Sequence, residues 1–252
     1  MRWQTMLRAT GCVLLAVVVA GCATPGGDAR SHQRAMLKSS LTAAIERDDL
    51  YEGSMGVRRT DANFPAVKSA LGNVYRDPVI LDWMVNQLQN DRDRFSQNLA
   101  RLMSDAFARA DDAAAAQMVR PVATLFGRFT PQQCTEFLAA AKDRGNDGTA
   151  LMMRSMNDGE IREFFDGMRQ AMRRGIEGAP LRPVPTSAEL LTVMNKLGSS
   201  AMAAGAGGPG SSNCQDAVRV LNEMERLTGT ERSHALTFMM MQAGLAANRQ
   251  LQ

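Results

Sequence analysis

An all-α fold, an irregular bundle of about seven to nine helices, is what this sequence predicts, and three observations carry the prediction. Apolar residues recur at three- and four-residue spacing in nearly every segment, with capping residues before and glycine or proline after. Alternating or β-branched runs, which mark strands, are nearly absent. The 252 residues are 45% hydrophobic but only 5% aromatic, so Leu, Ala, Val and 18 Met must fill the core. Unbranched methionine makes such a core adaptable.

The elements follow in order. Ser31 caps a first helix whose Leu37, Leu41 and Ile45 repeat every four residues up to about Asp49. The stretch from Tyr51 to Asn63 has Gly53, Gly56 and no clear period, and reads as a loop. Phe64 to Asn73 forms a short helix. Asp77-Pro78 then supplies an N-cap and a proline at the first helical position. Ile80, Trp83, Met84 and Leu88 share one face, and Phe95, Leu99, Leu102, Met103 and Ala106 continue it beyond Gln89-Asn90-Asp91, as one bent helix or two. Asp111 or Asp112 opens an alanine-rich helix that Pro121 is expected to kink or end near Arg120.

Three capping boxes mark later helix starts: Thr130 with Gln133, Asn157 with Glu160, and Thr186 with Glu189. Gly145 and Gly175 are expected to end the first two of these helices. Ala179-Pro180-Leu181-Arg182-Pro183-Val184-Pro185 reads as an extended, semi-rigid connection between helices, preferred over a partner-binding proline motif. Leu190, Leu191, Met194 and Leu197 follow it. Gly205 to Gly210 forms a loop, Ser211 or Ser212 restarts helix beside Cys214 with Val218, Leu221 and Met224 inward, and Thr230 caps the last helix.

The N-terminus has a different character. Arg2 and Arg8 precede an apolar run from Ala9 to Ala20, and Val19-Ala20-Gly21-Cys22 closes it, the layout of a cleaved secretory signal. Spanning a bilayer takes about 18 or more apolar residues, and this run is shorter and holds Thr10, Gly11 and Cys12. The tetrad resembles the lipobox of bacterial lipoproteins. The resemblance implies removal of residues 1–21, lipidation of Cys22, a flexible tether over 22–30 and a helical domain over 31–252, with a candidate subdivision near 176–186. It also implies a membrane partner through the lipid anchor and, because Ala23 and not Asp follows the cysteine, an outer-membrane address facing the periplasm.

Cleavage would change the charge. The chain carries 29 basic and 26 acidic residues; losing Arg2 and Arg8 leaves 27 against 26, a net +1. That gives no general attraction to nucleic acid, which needs clustered positive charge. Cys134 and Cys214 would remain after Cys12 departs and Cys22 takes lipid. In an oxidising compartment the pair is expected to form a disulfide. Closing their 80-residue separation (214 − 134) would stabilise the fold by roughly 4 kcal/mol in the chain-entropy model.

Little in the sequence points to catalysis. His32 and His234 lack metal-ligand partners at helical spacing, and no HExxH, CxxC or GxSxG motif occurs. No metal or cofactor is implied. Two carboxylates across a pocket can hydrolyse glycosides, so a peptidoglycan-acting enzyme using Asp158, Glu160, Glu163 or Glu136 is the alternative. Thioethers bind Cu(I), which makes copper handling through Met152, Met153 and Met156 a third reading. The favoured one is a non-enzymatic envelope module that binds another envelope protein. Its candidate partner groove is formed by Met152, Met153 and Met156 with Met239, Met240 and Met241.

Overall fold

The structure, a computed structural model, describes residues 27–144, 146–197 and 214–249. Over these residues it is 84% helical, with twelve α-helices and no strands, an all-α multi-helix fold. The helices are α1 (Gly27–Ile45), α2 (Asp48–Met55), α3 (Phe64–Arg76), α4 (Pro78–Asn90), α5 (Phe95–Arg109) and α6 (Asp112–Arg128). They continue with α7 (Pro131–Arg144), α8 (Asn146–Ser155), α9 (Asp158–Ile176), α10 (Ser187–Leu197), α11 (Cys214–Arg226) and α12 (Gly229–Arg249).

The fold is organised around α9, which packs on α3, α4, α5 and α6. Its stripe of Ile161, Phe165, Ala171 and Met172 is almost fully enclosed. Glycines let its neighbours come close. A Cβ on Gly167 would sit 2.7 Å from the Ala114 carbonyl oxygen, and one on Gly175 would sit 3.3 Å from the Ala106 nitrogen. Around this centre α1 packs on α4, while α12 packs on α5, α6 and α10.

Capping chemistry places several helix starts as expected, whereas α12 begins at Gly229, ahead of the expected cap Thr230. Asp77 accepts from the Val79 N–H at 3.1 Å, and Asp111 from the Ala114 N–H at 2.9 Å. All three capping boxes are reciprocal. Gln133 and Thr130 exchange bonds of 3.2 and 2.9 Å, Glu160 and Asn157 bonds of 3.0 and 2.9 Å, and Glu189 and Thr186 bonds of 3.3 and 2.8 Å. Each satisfies two of the N–H groups that a helix start leaves without a partner.

Several expectations are corrected. Helix α1 begins at Gly27, ahead of the expected cap Ser31. The presumed loop from Tyr51 begins within α2, where Tyr51 is fully enclosed and donates its hydroxyl to the Ile45 carbonyl at 2.5 Å. A single buried aromatic and that bond outweigh a weak local pattern. The long region after Pro78 is two helices, parted by a 3₁₀ turn at Arg92–Arg94. Helix α6 runs through Pro121 to Arg128. An interior proline costs about 3 kcal/mol, whereas burying Leu125 and Phe126 beyond it returns roughly 1.5–3 kcal/mol each, and both are buried. Gly175 does not end α9; Gly178 does, with φ +66°, and the Ala179 N–H reaches back to the Arg174 carbonyl at 2.9 Å.

Residues 1–26, including Cys22 and the signal segment, lie outside the described residues, as do Gly145, Gly205 to Gly210, Ser211 and Ser212. Cys134 is buried. No cysteine pair is seen among the described residues, because the Cys214 side chain lies outside them. Their helices, α7 and α11, are in contact.

Candidate functional site

An apolar groove of about 240 Å³ lies between α10, α11 and α12. Its wall comes from Val193, Met194 and Leu197 on α10, Met224 on α11, and Phe238 and Met239 on α12, with Gln242 at the edge. Each helix contributes residues three and four apart, which share one face. Helices α10, α11 and α12 contact one another in pairs and bound the groove between them.

This is not the groove expected from the methionine clusters. Met153 and Met156 are buried in the main core at 1% and 3% exposure, and Met240 at 5%. Met152 packs against that core. Met241 points outward at 41% exposure, and Met239 alone of the six lines the groove. Adjacent methionines on a helix point about 100° apart, so a run of three cannot line one surface. The signal for the observed groove is the α10 face at Leu190, Val193, Met194 and Leu197, three of which, Leu190, Met194 and Leu197, stand out in the sequence.

The carboxylates are held by structural partners. Glu160 is 7% exposed and accepts the Asn157 N–H and two nitrogens of Arg128, one at 2.7 Å. Burial pushes its pKa up, but the Arg128 hydrogen bonds, the Asn157 N–H and the Arg128 charge outweigh burial and hold it below the ordinary range. Glu163 pairs with Arg120 at 2.8 Å, and Glu136 is exposed and bonded to Gln132 at 3.0 Å. Asp158 is exposed on an open depression shared with Asp61, Asn63 and Arg154, where Arg154 pairs with Asp61 at 3.1 Å. Glu160 and Asp158 therefore face different surroundings, one capping and dry, the other open to solvent. General acid–base work on a glycoside needs two carboxyls across one substrate pocket, and Glu160, the buried one, is turned to Arg128.

His32 is exposed, whereas His234 is half-buried and close enough to Glu189 to favour its charge. Glu189 lies below its ordinary range, first because the Thr186 N–H and hydroxyl bond to it and then because of His234. Among the described residues no three His, Cys, Asp or Glu side chains gather where a metal ion could be held. No described helix is long and apolar enough to cross a membrane.

A second feature, absent from any motif, joins the groove-bearing helices to the bundle. Arg182, in the proline-rich connector, has its side chain 7% exposed. It donates to the Ala110 carbonyl at 2.7 Å, the Asp112 carboxylate at 2.5 Å, the Ser233 carbonyl at 3.0 Å and the Thr237 hydroxyl at 2.9 Å. Its own N–H bonds to the Ala108 carbonyl at 2.9 Å. Only a planar guanidinium fork reaches four acceptors at once. The clasp fixes α12, and with it one wall of the groove, against the α5–α6 turn. Comparison of the chain with protein-family models, curated proteins and solved structures finds no match.

Proposed function

We propose that this chain is an envelope lipoprotein, acylated at Cys22, held on the periplasmic face of the outer membrane, and acting as a non-enzymatic protein-interaction or assembly module. The observation that carries it is Val19-Ala20-Gly21-Cys22 at the end of a basic and then apolar leader. The employment of Glu160 in a cap and an ion pair and of Glu163 in an ion pair supports a binding role over hydrolysis. So does the apolar groove, which suits an apolar helix or chain segment. A Cys134–Cys214 disulfide belongs to the same proposal, supported by the contact between α7 and α11.

Growth of cells producing the full chain with a labelled fatty acid tests the anchor. The parent protein takes up label and stays with the membrane; Cys22→Ser takes up none and is released. An unlabelled parent, or a labelled Cys22→Ser, overturns the proposal. Non-reducing peptide mapping of the exported protein tests the bridge: a linked peptide pair holding Cys134 and Cys214 is expected, and two alkylatable thiols would refute it.

A further inference from the structure

The connector between α9 and α10 carries an exposure pattern of period three. Ala179, Arg182 and Pro185 are half-buried, Pro180 and Pro183 are exposed, and Leu181 and Val184 are 60% and 69% exposed. A polyproline II helix has three residues per turn, so positions i and i+3 share an edge. The local sequence favours that conformation. Prolines fix their own φ near −65°, and the residues before them, Ala179, Arg182 and Val184, are steered to extended backbone. Of Ala179 to Pro185, Leu181 alone is free of either constraint.

One edge is bolted to the domain. The Ala179 N–H bonds to Arg174, its carbonyl accepts from Arg109, the Arg182 N–H bonds to Ala108, and the Arg182 side chain makes the four-acceptor clasp. The other two edges face outward, one bearing Pro180 and Pro183, the other Leu181 and Val184. Two of the five large apolar side chains left exposed among the described residues fall here, on a single edge. Aromatic-lined grooves recognise this form: an extended proline helix presenting two edges, already ordered and so with little conformational entropy left to lose.

We infer that residues 179–185 are a preformed polyproline ligand displayed on the domain surface, whose partner is a protein with an aromatic-lined groove that reads Pro180, Leu181, Pro183 and Val184. Arg182 takes no part in recognition, because its guanidinium is turned inward, so the partner needs no acidic pocket for it. The inference rests on the interaction-module reading and not on the lipid anchor. Fatty-acid labelling and partner capture therefore fail separately.

The test replaces Leu181 or Val184 in the full chain by a photo-crosslinking residue, with Leu191, 55% exposed on α10, as the control position. Adducts from 181 and 184 should converge on aromatic residues of one protein. They should be competed by a synthetic peptide of residues 179–186 and weakened about tenfold or more in Pro180→Ala/Pro183→Ala, a loss typical of central contacts. Should that variant melt at a lower temperature, Val184→Glu with the crosslinker at 181, and Leu181→Glu with it at 184, which alter a solvent-facing side chain alone, must weaken the adduct equally. Adducts to lipid, to glycan or to a non-aromatic surface overturn the inference. So do yields no higher than at the control, or adducts indifferent to these substitutions.

Discussion

Replacing Arg182 by alanine should loosen the C-terminal helices from the bundle, and the structure sets the size of the effect. The Ala110 carbonyl, on a residue that is fully buried, loses its Arg182 donor, which costs about 1–3 kcal/mol. Loss of the Thr237 bond adds about 0.5–1.5 kcal/mol. The Asp112 pair contributes less, about 0.5–1 kcal/mol, because that carboxylate is 55% exposed and water replaces the guanidinium. Ser233 is spared, since its carbonyl keeps the Thr237 hydroxyl at 2.9 Å. The sum is about 2–5.5 kcal/mol, and a chain of this size moves about 2–4 °C in melting temperature per kcal/mol. Calorimetry of the unacylated domain should therefore show a fall of about 10 °C and no less than about 4 °C. Hydrogen exchange should rise first in α12. Arg182→Lys should recover at most part of the loss, because an ammonium cannot reach four separated acceptors. A shift below about 2 °C for Arg182→Ala, or full recovery by lysine, would refute the reasoning.

Three further outcomes follow from close contacts and buried groups. Gly167→Ala should destabilise the domain by about 1–3 kcal/mol through overpacking, because its Cβ meets backbone 2.7 Å away; denaturant melts measure this, and a neutral result would mean α6 moves freely. Glu160→Gln should flatten the acid limb of the stability curve. A carboxylate whose folded pKa is lowered stabilises above its unfolded pKa, and that contribution disappears as pH falls through the folded value; an acid limb unchanged from the parent counts against the Arg128 pair. Tyr51 behaves in the opposite sense. Burial raises its pKa to about 12 from 10.0, so its contribution is intact below pH 10 and declines as pH rises through about 12. Tyr51→Phe should lose about 1 kcal/mol at neutral pH and show a shallower alkaline decline, read by urea melts across that range.

The helical class and most helix starts were legible because caps and periodicity are local. Asp77, Asp111, Thr130, Asn157 and Thr186 each bond within three residues of their own position, and a window of that length contains the whole interaction. Where the sequence reading failed, the missing partner lay far along the chain. Tyr51 makes α2 worth forming by entering the common core, and α6 survives Pro121 because Leu125 and Phe126 are buried beyond it. The methionine runs misled because composition does not say which side of a helix faces inward. Glu160 was legible as a cap beside Asn157, but its second partner, Arg128, lies 32 residues away.

By itself, the sequence determined the all-α class, the capped helix starts and the lipobox-like leader with its expected Cys22 anchor, since each is written within a few neighbouring residues. Tertiary structure alone decided which faces become core, that α10, α11 and α12 enclose the groove, and that Arg182 turns inward while Leu181 and Val184 turn out. Those outcomes depend on acceptors at Ala110, Asp112, Ser233 and Thr237 being brought to one point by chain segments as many as 72 residues distant from Arg182, a convergence that no local pattern encodes.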